Sequence, residues 1–285
     1  MTTFAIAPAA SFAAADLHAA NLAAFSDYIA GPMQLAFDQW PSLIARQGIA
    51  LGLSRVAVSD GAIASYAFVC PRESGGRWRL AIMGALPAAR GTGAAPALID
   101  DFLARAKAAG MTHAELECFA ANERALRLYR SKGFGVVCPL SGWKLPADAA
   151  PASAPAHDAS ARELREVDRA TALAWLEEAE RRIAWLPFPT TARCQSAQVR
   201  PLTAWQCGSA LLLFSVLEGT PTQIHVLVDL DPALRDAETL AHAIRAAHPD
   251  AFAPPILRDD IGGEALARAG FVRPELNQVL MRRAL

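Results

Sequence analysis

The feature that most limits what this chain can fold into is a pair of glycines set between an apolar run and a helix-forming run. Trp78 to Ala85 (WRLAIMGA) has strand length and ends at Leu86-Pro87, where proline stops a β-ladder. Arg90-Gly91-Thr92-Gly93-Ala94-Ala95 follows. Gly91 and Gly93 let the backbone take positive φ and let a ligand come close. From Ala94 the residues read as a helix, with Leu98, Ile99, Phe102, Leu103 and Ala106 on one face and Gly110 at its end. Pro96 falls in the first turn, where a missing N–H costs nothing. A helix start preceded by glycines is an anion site, because its first amides lack internal partners and its dipole favours negative charge. An ordinary strand-to-helix turn has the same bare pattern. There is no Gly-Lys-Ser/Thr here, and Pro96 stands where a dinucleotide fingerprint needs its third glycine, so both of those phosphate motifs are set aside.

A second half lies about thirty residues on. His113 to Phe119 (HAELECF) reads as a short strand, and Asn122 caps a helix from Glu123 to Lys132. Asn122, Ala125, Leu128-Tyr129 and Gly133-Phe134 then meet the whole of the pattern Asn-x-x-Ala-x-x-Leu-Tyr-x-x-x-Gly-Phe. Residues 90–95 meet Arg/Gln-x-x-Gly-x-Gly/Ala, and Pro87 falls where that pattern places a proline. With both patterns in this order, the chain resembles the GNAT superfamily of acyl-CoA N-acyltransferases. One departure is Ala85, where valine is usual. The resemblance implies an α/β (α+β) fold, a mixed and mostly antiparallel sheet flanked by helices.

Composition sets outer bounds. At 285 residues the chain has room for two domains of ordinary size. A net charge of -1 offers no basic field for nucleic acid or an anionic membrane. The first Lys or Arg is Arg46, so the alanine-rich start lacks the charged beginning of a signal peptide. No apolar stretch approaches the ~20 residues of a membrane helix. Five cysteines with no C-x-x-C suggest reduced thiols and a cytoplasmic protein, and scattered histidines suggest no metal.

Pro146 to Pro155 is rich in proline and alanine and reads as a linker. The expected organisation is a catalytic domain over 1–145, a linker over 146–160 and a degenerate GNAT-like domain over 161–285. In the first part, Phe4 to Ile6 reads as a strand and Ala13 to Ile29 as a helix broken by Gly31-Pro32 before a second helix towards Arg46. Arg55 to Val58 and Ala62 to Cys70 form a hairpin around Ser59-Asp60-Gly61, and Val136 to Leu145 supplies a closing strand. In the second part, Leu211 to Leu217 and Ile224 to Leu230 read as strands and Ala237 to Ala247 as a helix. Gly270-Phe271 echoes Gly133-Phe134, which sets Leu266 opposite Tyr129 and Asp259 opposite Asn122. Asp229, Asp231 and Asp236 stand where a phosphate turn would be and would repel an anion. An unrelated α/β domain is the alternative reading of this half.

What the resemblance implies for chemistry is acetyl transfer from acetyl-CoA to a primary amine, small-molecule or peptide, by direct attack in a ternary complex. An alkyl amine must lose a proton before it attacks, the tetrahedral oxyanion needs a donor, and the departing thiolate is eased by a proton. The family's pattern assigns donor binding to Met83, Ala85, Arg90, Gly91, Thr92, Gly93, Ala94, Ala95, Asn122 and Tyr129. The backbone N–H near Ala85 meets the carbonyl. Tyr129 is the general acid, or else a core tyrosine. Glu117 is the candidate base, or else a solvent-facing strand carboxylate. Asp27 and Tyr28 are candidate acceptor contacts, although Asp27 could instead cap a turn. A CoA-binding protein without catalysis, regulatory or structural, is the reading from a different functional class.

Overall fold

The computed structural model describes residues 4–146 and 163–285, which form two compact units. The first comprises residues 1–137 and 279–285, and the second 138–278. The expected linker, apart from Pro146, lies outside the described residues.

The first unit runs β1 (Ala5–Pro8), α1 (Ala14–Ala24), α2 (Trp40–Arg46), β2 (Arg55–Ser59), β3 (Ala62–Arg72), β4 (Arg77–Ala85), α3 (Ala94–Ala108), β5 (His113–Phe119) and α4 (Glu123–Ser131). β1 to β4 are successive antiparallel neighbours, and β5 lies parallel to β4. The β2–β3 hairpin turns on Asp60 and Gly61, both at positive φ, as its sequence requires. One face of the sheet packs Trp78, Leu80 and Leu116 against Leu98, Phe102 and Leu103 of α3. The other packs Val56, Tyr66 and Phe68 against Leu17 and Ala20 of α1 and Trp40 of α2. α1 is shorter than its sequence suggests. It stops at Ala24, where Phe25 and Tyr28 fold back on each other with ring centroids 4.7 Å apart.

Two local features of β4 open the sheet at one end. Phe68 pairs with Ile82 but Val69 with Leu80, so Ala81 is an extra residue and β4 bulges there. Pairing with β5 is last made at Leu80–Leu116, and the two parallel strands part beyond it.

The second unit runs β6 (Gly135–Lys144), β7 (Arg165–Val167), α5 (Arg169–Arg182), α6 (Ala192–Ser196), β8 (Thr203–Cys207), β9 (Ala210–Ser215), β10 (Gln223–Asp229), α7 (Arg235–Ala247), β11 (Phe252–Arg258) and α8 (Gly263–Arg268). Its strand order is β7-β8-β9-β10-β11-β6, with β10 and β11 parallel and the other described pairs antiparallel. This is the succession of the first unit, helices included. β10 also bulges, because Ile224 pairs with Phe214 and Val226 with Leu213, leaving His225 extra.

The closing strands correct the sequence reading. Val136 to Leu145 is expected to complete the first sheet, yet residues 138–144 of β6 belong to the second unit, where they pair with β11. The sixth strand of the first unit is instead β12 (Gln278–Ala284), next to β5. Met281 is fully buried there in the α3-side core, and Leu285 N–H donates to the Thr112 carbonyl at 3.0 Å.

Candidate active site

Where β4 and β5 part, a cleft of about 520 Å³ opens in the first unit. Its floor is the free edge of β4. Leu86 N–H donates to Ala64 O of β3, and strand alternation therefore turns the amides of Ala85 and Met83 towards the parted edge. Both residues line the cleft, as does Gly84 between them. A β-carbon at Gly84 would lie 2.6 Å from the Tyr66 hydroxyl and 2.7 Å from Ala24 Cβ, so α1 closes onto β4 only because this residue is glycine. Beneath it the buried Tyr66 hydroxyl donates to Asn21 Oδ1 at 2.8 Å.

The glycine turn forms one end. Gly91 and Gly93 have φ of +82° and +96°, and a β-carbon on either would meet nothing within 4 Å. The turn is therefore strained for any other residue and also open to a ligand. Gly93 caps α3 without a side-chain hydrogen bond. Its amide and those of Ala94 and Ala95 have no acceptor among the described residues. The next residue, Pro96, carries no N–H. These amides and their φ values fit a diphosphate group. Ala95 lines the cleft, whereas the Ala94 side chain is buried in the core and only its amide is available. Thr92 is outside the lining, and its hydroxyl donates to Ala89 O at 2.6 Å.

Arg90 stands at the turn, but its guanidinium points away from the helix start. Nη1 and Nη2 grip Asp27 at 2.5 and 2.6 Å, Nη2 also donates to Ala24 O, and Nε to Ala85 O. That grip satisfies the last carbonyl of α1 and brings a cation to its C-terminus. Both residues line the cleft, each with the other as its partner. Arg90 is committed to a protein carboxylate, and Asp27 is committed to Arg90. The hydrogen bond from Arg90 holds the Asp27 carboxyl below the usual range.

The other end is aromatic. Asn122 caps α4, its Oδ1 accepting from Ala125 N–H at 3.1 Å. Asn122 also favours ionisation of the nearby Tyr28 phenol. Tyr28 packs against Phe119 and is pushed up to about 12 by burial, against the effect of Asn122. Tyr129 lines the cleft with its ring in the α3-side core, and its hydroxyl has no protein partner among the described residues. Burial raises the Tyr129 phenol well above its ordinary value, with Cys118 and Tyr28 adding to the effect.

Glu117 is not brought to this cleft. Its carboxylate is nearly buried and takes both hydrogen bonds of a fork from Arg79 Nε, at 2.8 and 3.0 Å. Among the described residues, then, no uncommitted carboxylate lines the cleft. Sequence reasoning missed Arg124, which lines the cleft from the first turn of α4. It occupies one of the free positions of the Asn-x-x-Ala pattern, so the pattern carried no signal for it.

The corresponding place in the second unit is filled by the protein itself. Asp229 Oδ2 accepts from Ala237 N–H at the start of α7 at 3.0 Å, and its Oδ1 accepts from Asp231 N–H at 2.9 Å. Asp229 and Asp236 are buried and converge on Ser209. Phe134 N–H donates to Tyr129 O, and Phe271 N–H donates to Leu266 O in the same cap geometry, so Leu266 occupies the counterpart of the Tyr129 position. Among the described residues no His, Cys, Asp and Glu group could hold a metal ion. No described helix is long and apolar enough to cross a membrane.

Residues 16–134 match the acetyltransferase (GNAT) family model. No curated protein sequence matches the chain. Among solved structures, a GCN5-related N-acetyltransferase from Sphaerobacter thermophilus is 17% identical with a TM-score of 0.66, over 99% of this chain and 95% of that one. Another, from Anabaena variabilis, is 17% identical with a TM-score of 0.65, over 99% and 72%. A third, from Kribbella flavida, is 16% identical with a TM-score of 0.61, over 100% and 71%. Residues 16–134 are thus a domain of the GNAT acetyltransferase family, and the chain as a whole carries the GNAT fold.

Proposed function

We propose that the first unit is an acetyl-CoA-dependent N-acetyltransferase that acts on a primary amine in a ternary complex, and that the second unit is a degenerate GNAT-like domain. The observation that carries the reading is the pairing of two unsatisfied ends in one cleft. Free amides stand at the α3 start, and an unpartnered Tyr129 hydroxyl stands beside the parted edge of β4. Acetyl-CoA supplies an activated thioester carbonyl when bound. The amides of Gly93, Ala94 and Ala95 hold its diphosphate, and a β4 amide at Met83 or Ala85 holds the developing oxyanion.

Tyr129 gives its proton to the departing sulfur. Burial makes this phenol a weak acid, but the same surroundings raise the neighbouring Cys118 thiol to about 11. A thiolate released there is destabilised by the same burial, which offsets part of the weakened acidity of the phenol. With Asp27 and Glu117 both in ion pairs, the amine enters as its free base or loses its proton to water. The acceptor remains the class of small-molecule or peptide primary amines. The buried Asp229 carboxylate at the α7 start supports loss of the donor site from the second unit, since a protein anion already takes one of the amides there.

Calorimetry with CoA, followed by turnover of acetyl-CoA with a panel of amines, tests this. One CoA per chain and acetylation of at least one amine are expected. Two CoA molecules would overturn the degenerate second site, and binding without any turnover would leave a CoA-binding regulatory protein.

A further inference from the structure

We propose that Arg124, rather than the arginine of the glycine turn, is the side chain that holds the phosphates of the acyl donor. The inference rests on the donor site described above. Three charged side chains line the cleft: Asp27, Arg90 and Arg124. Asp27 and Arg90 neutralise one another in a two-bond ion pair. Arg124 has no hydrogen bond or ion pair among the described residues and is exposed on the first turn of α4. The cleft therefore carries one uncommitted charge, and it is positive.

Its position decides what that charge meets. Arg124 lines the same cleft as Gly91, Gly93 and Ala95, and Asp27 is bonded to the residue that opens the glycine turn. The free guanidinium thus lines the cleft in which the residues of the glycine turn stand. There it adds a forked donor to the amides of Gly93, Ala94 and Ala95, which offer only partial charges. Arg90 acts differently. It ties the end of α1 to the turn, through Ala24 O and Asp27, and so positions the amides without meeting the ligand through its charge.

The test is calorimetry with CoA and with 3′-dephospho-CoA on the wild-type chain, Arg124→Gln and Arg124→Lys, at low and high salt. Steady-state kinetics with acceptors bearing and lacking a carboxylate accompany it. Arg124→Gln is expected to raise the CoA Kd roughly tenfold or more and to flatten its salt dependence. kcat/KM for the donor should fall with the affinity and by more than kcat does, and Arg124→Lys should recover part of the affinity. A smaller mutational loss with 3′-dephospho-CoA would place the contact at the 3′-phosphate, and an equal loss at the diphosphate. An unchanged CoA Kd in the folded Gln variant overturns the proposal. A raised KM confined to carboxylate-bearing acceptors also overturns it and moves the contact to the acceptor. If the wild-type chain binds no CoA, the donor site itself fails along with this contact. CoA bound equally well by wild type and variant sinks the Arg124 contact alone.

Discussion

Tyr129 and Glu117 are the two side chains whose roles the sequence left most open, and the structure separates them by their partners. Tyr129 faces the cleft with an unpaired hydroxyl, whereas Glu117 is held by Arg79. Tyr129→Phe keeps the ring against Phe134 and removes only the proton. Its kcat is expected to fall by roughly 10²–10⁴-fold with little change in CoA affinity, and single-turnover kinetics beside calorimetry would show it. Near-normal turnover would return Tyr129 to a packing role. The pH profile gives a second check. Because burial raises this phenol, Tyr129 stays protonated beyond the ordinary tyrosine value. The rate should then climb as the acceptor amine deprotonates, and the acid should not fail below about pH 10. For Glu117→Ala the expectation is reversed. It leaves the Arg79 guanidinium buried with one partner fewer, costing about 3 kcal/mol in thermal or urea unfolding, while kcat changes by only a few-fold. A large loss of kcat in a variant of normal stability would restore Glu117 as the base.

At the scale of single elements, the glycine turn and α3 show how backbone conformation becomes binding. Gly93 sits at φ +96° with open space around it, so a valine there meets no clash yet adopts a conformation that β-branched residues avoid. Gly93→Val should cost about 1–2 kcal/mol of stability. It should weaken CoA far more, because the amides at the start of α3 lose their aim and the new side chain takes up the approach. Unchanged CoA affinity in the folded variant would remove the turn from the site. This element was legible because its physics is local. Glycines, a stopped strand and a helix face are all written within thirty residues. The Asp60-Gly61 hairpin was legible for the same reason. The Arg90–Asp27 pair was not, since it joins residues on different elements and nothing in either neighbourhood announces it. Arg124 was hidden by falling at a position its motif leaves free. β11 was hidden by Pro254 and Pro255, which read as strand breakers and which the ladder skips, passing from Ala253 to Leu257.

The whole molecule is ordered by a connectivity that no local pattern encodes. The first unit needs β12, which the chain reaches only after residues 138–278 have been laid down. A division at the proline-rich segment is natural for the sequence, but it leaves the first sheet without its sixth strand. Residues 1–145 alone would lack Met281 from the core, the Leu285–Thr112 hydrogen bond, and the donation from Arg283 to the Lys132 carbonyl that follows α4. They would also keep residues 138–145 with no β11 to pair against. Such a fragment exposes apolar surface at the β5 edge, so it should aggregate or fail to bind CoA. Deleting only Gln278–Leu285 from the full chain should do nearly as much harm to CoA binding, although it touches no residue that lines the cleft. The decisive comparison is a fusion of residues 1–137 through a flexible linker to 278–285. If the unit boundaries carry the folding information, this fusion recovers CoA affinity that 1–145 lacks, measured by calorimetry on soluble monomer. Full affinity in the 1–145 fragment would mean that β6 can take the place of β12, and the strand order seen in the full chain would then be a preference rather than a requirement.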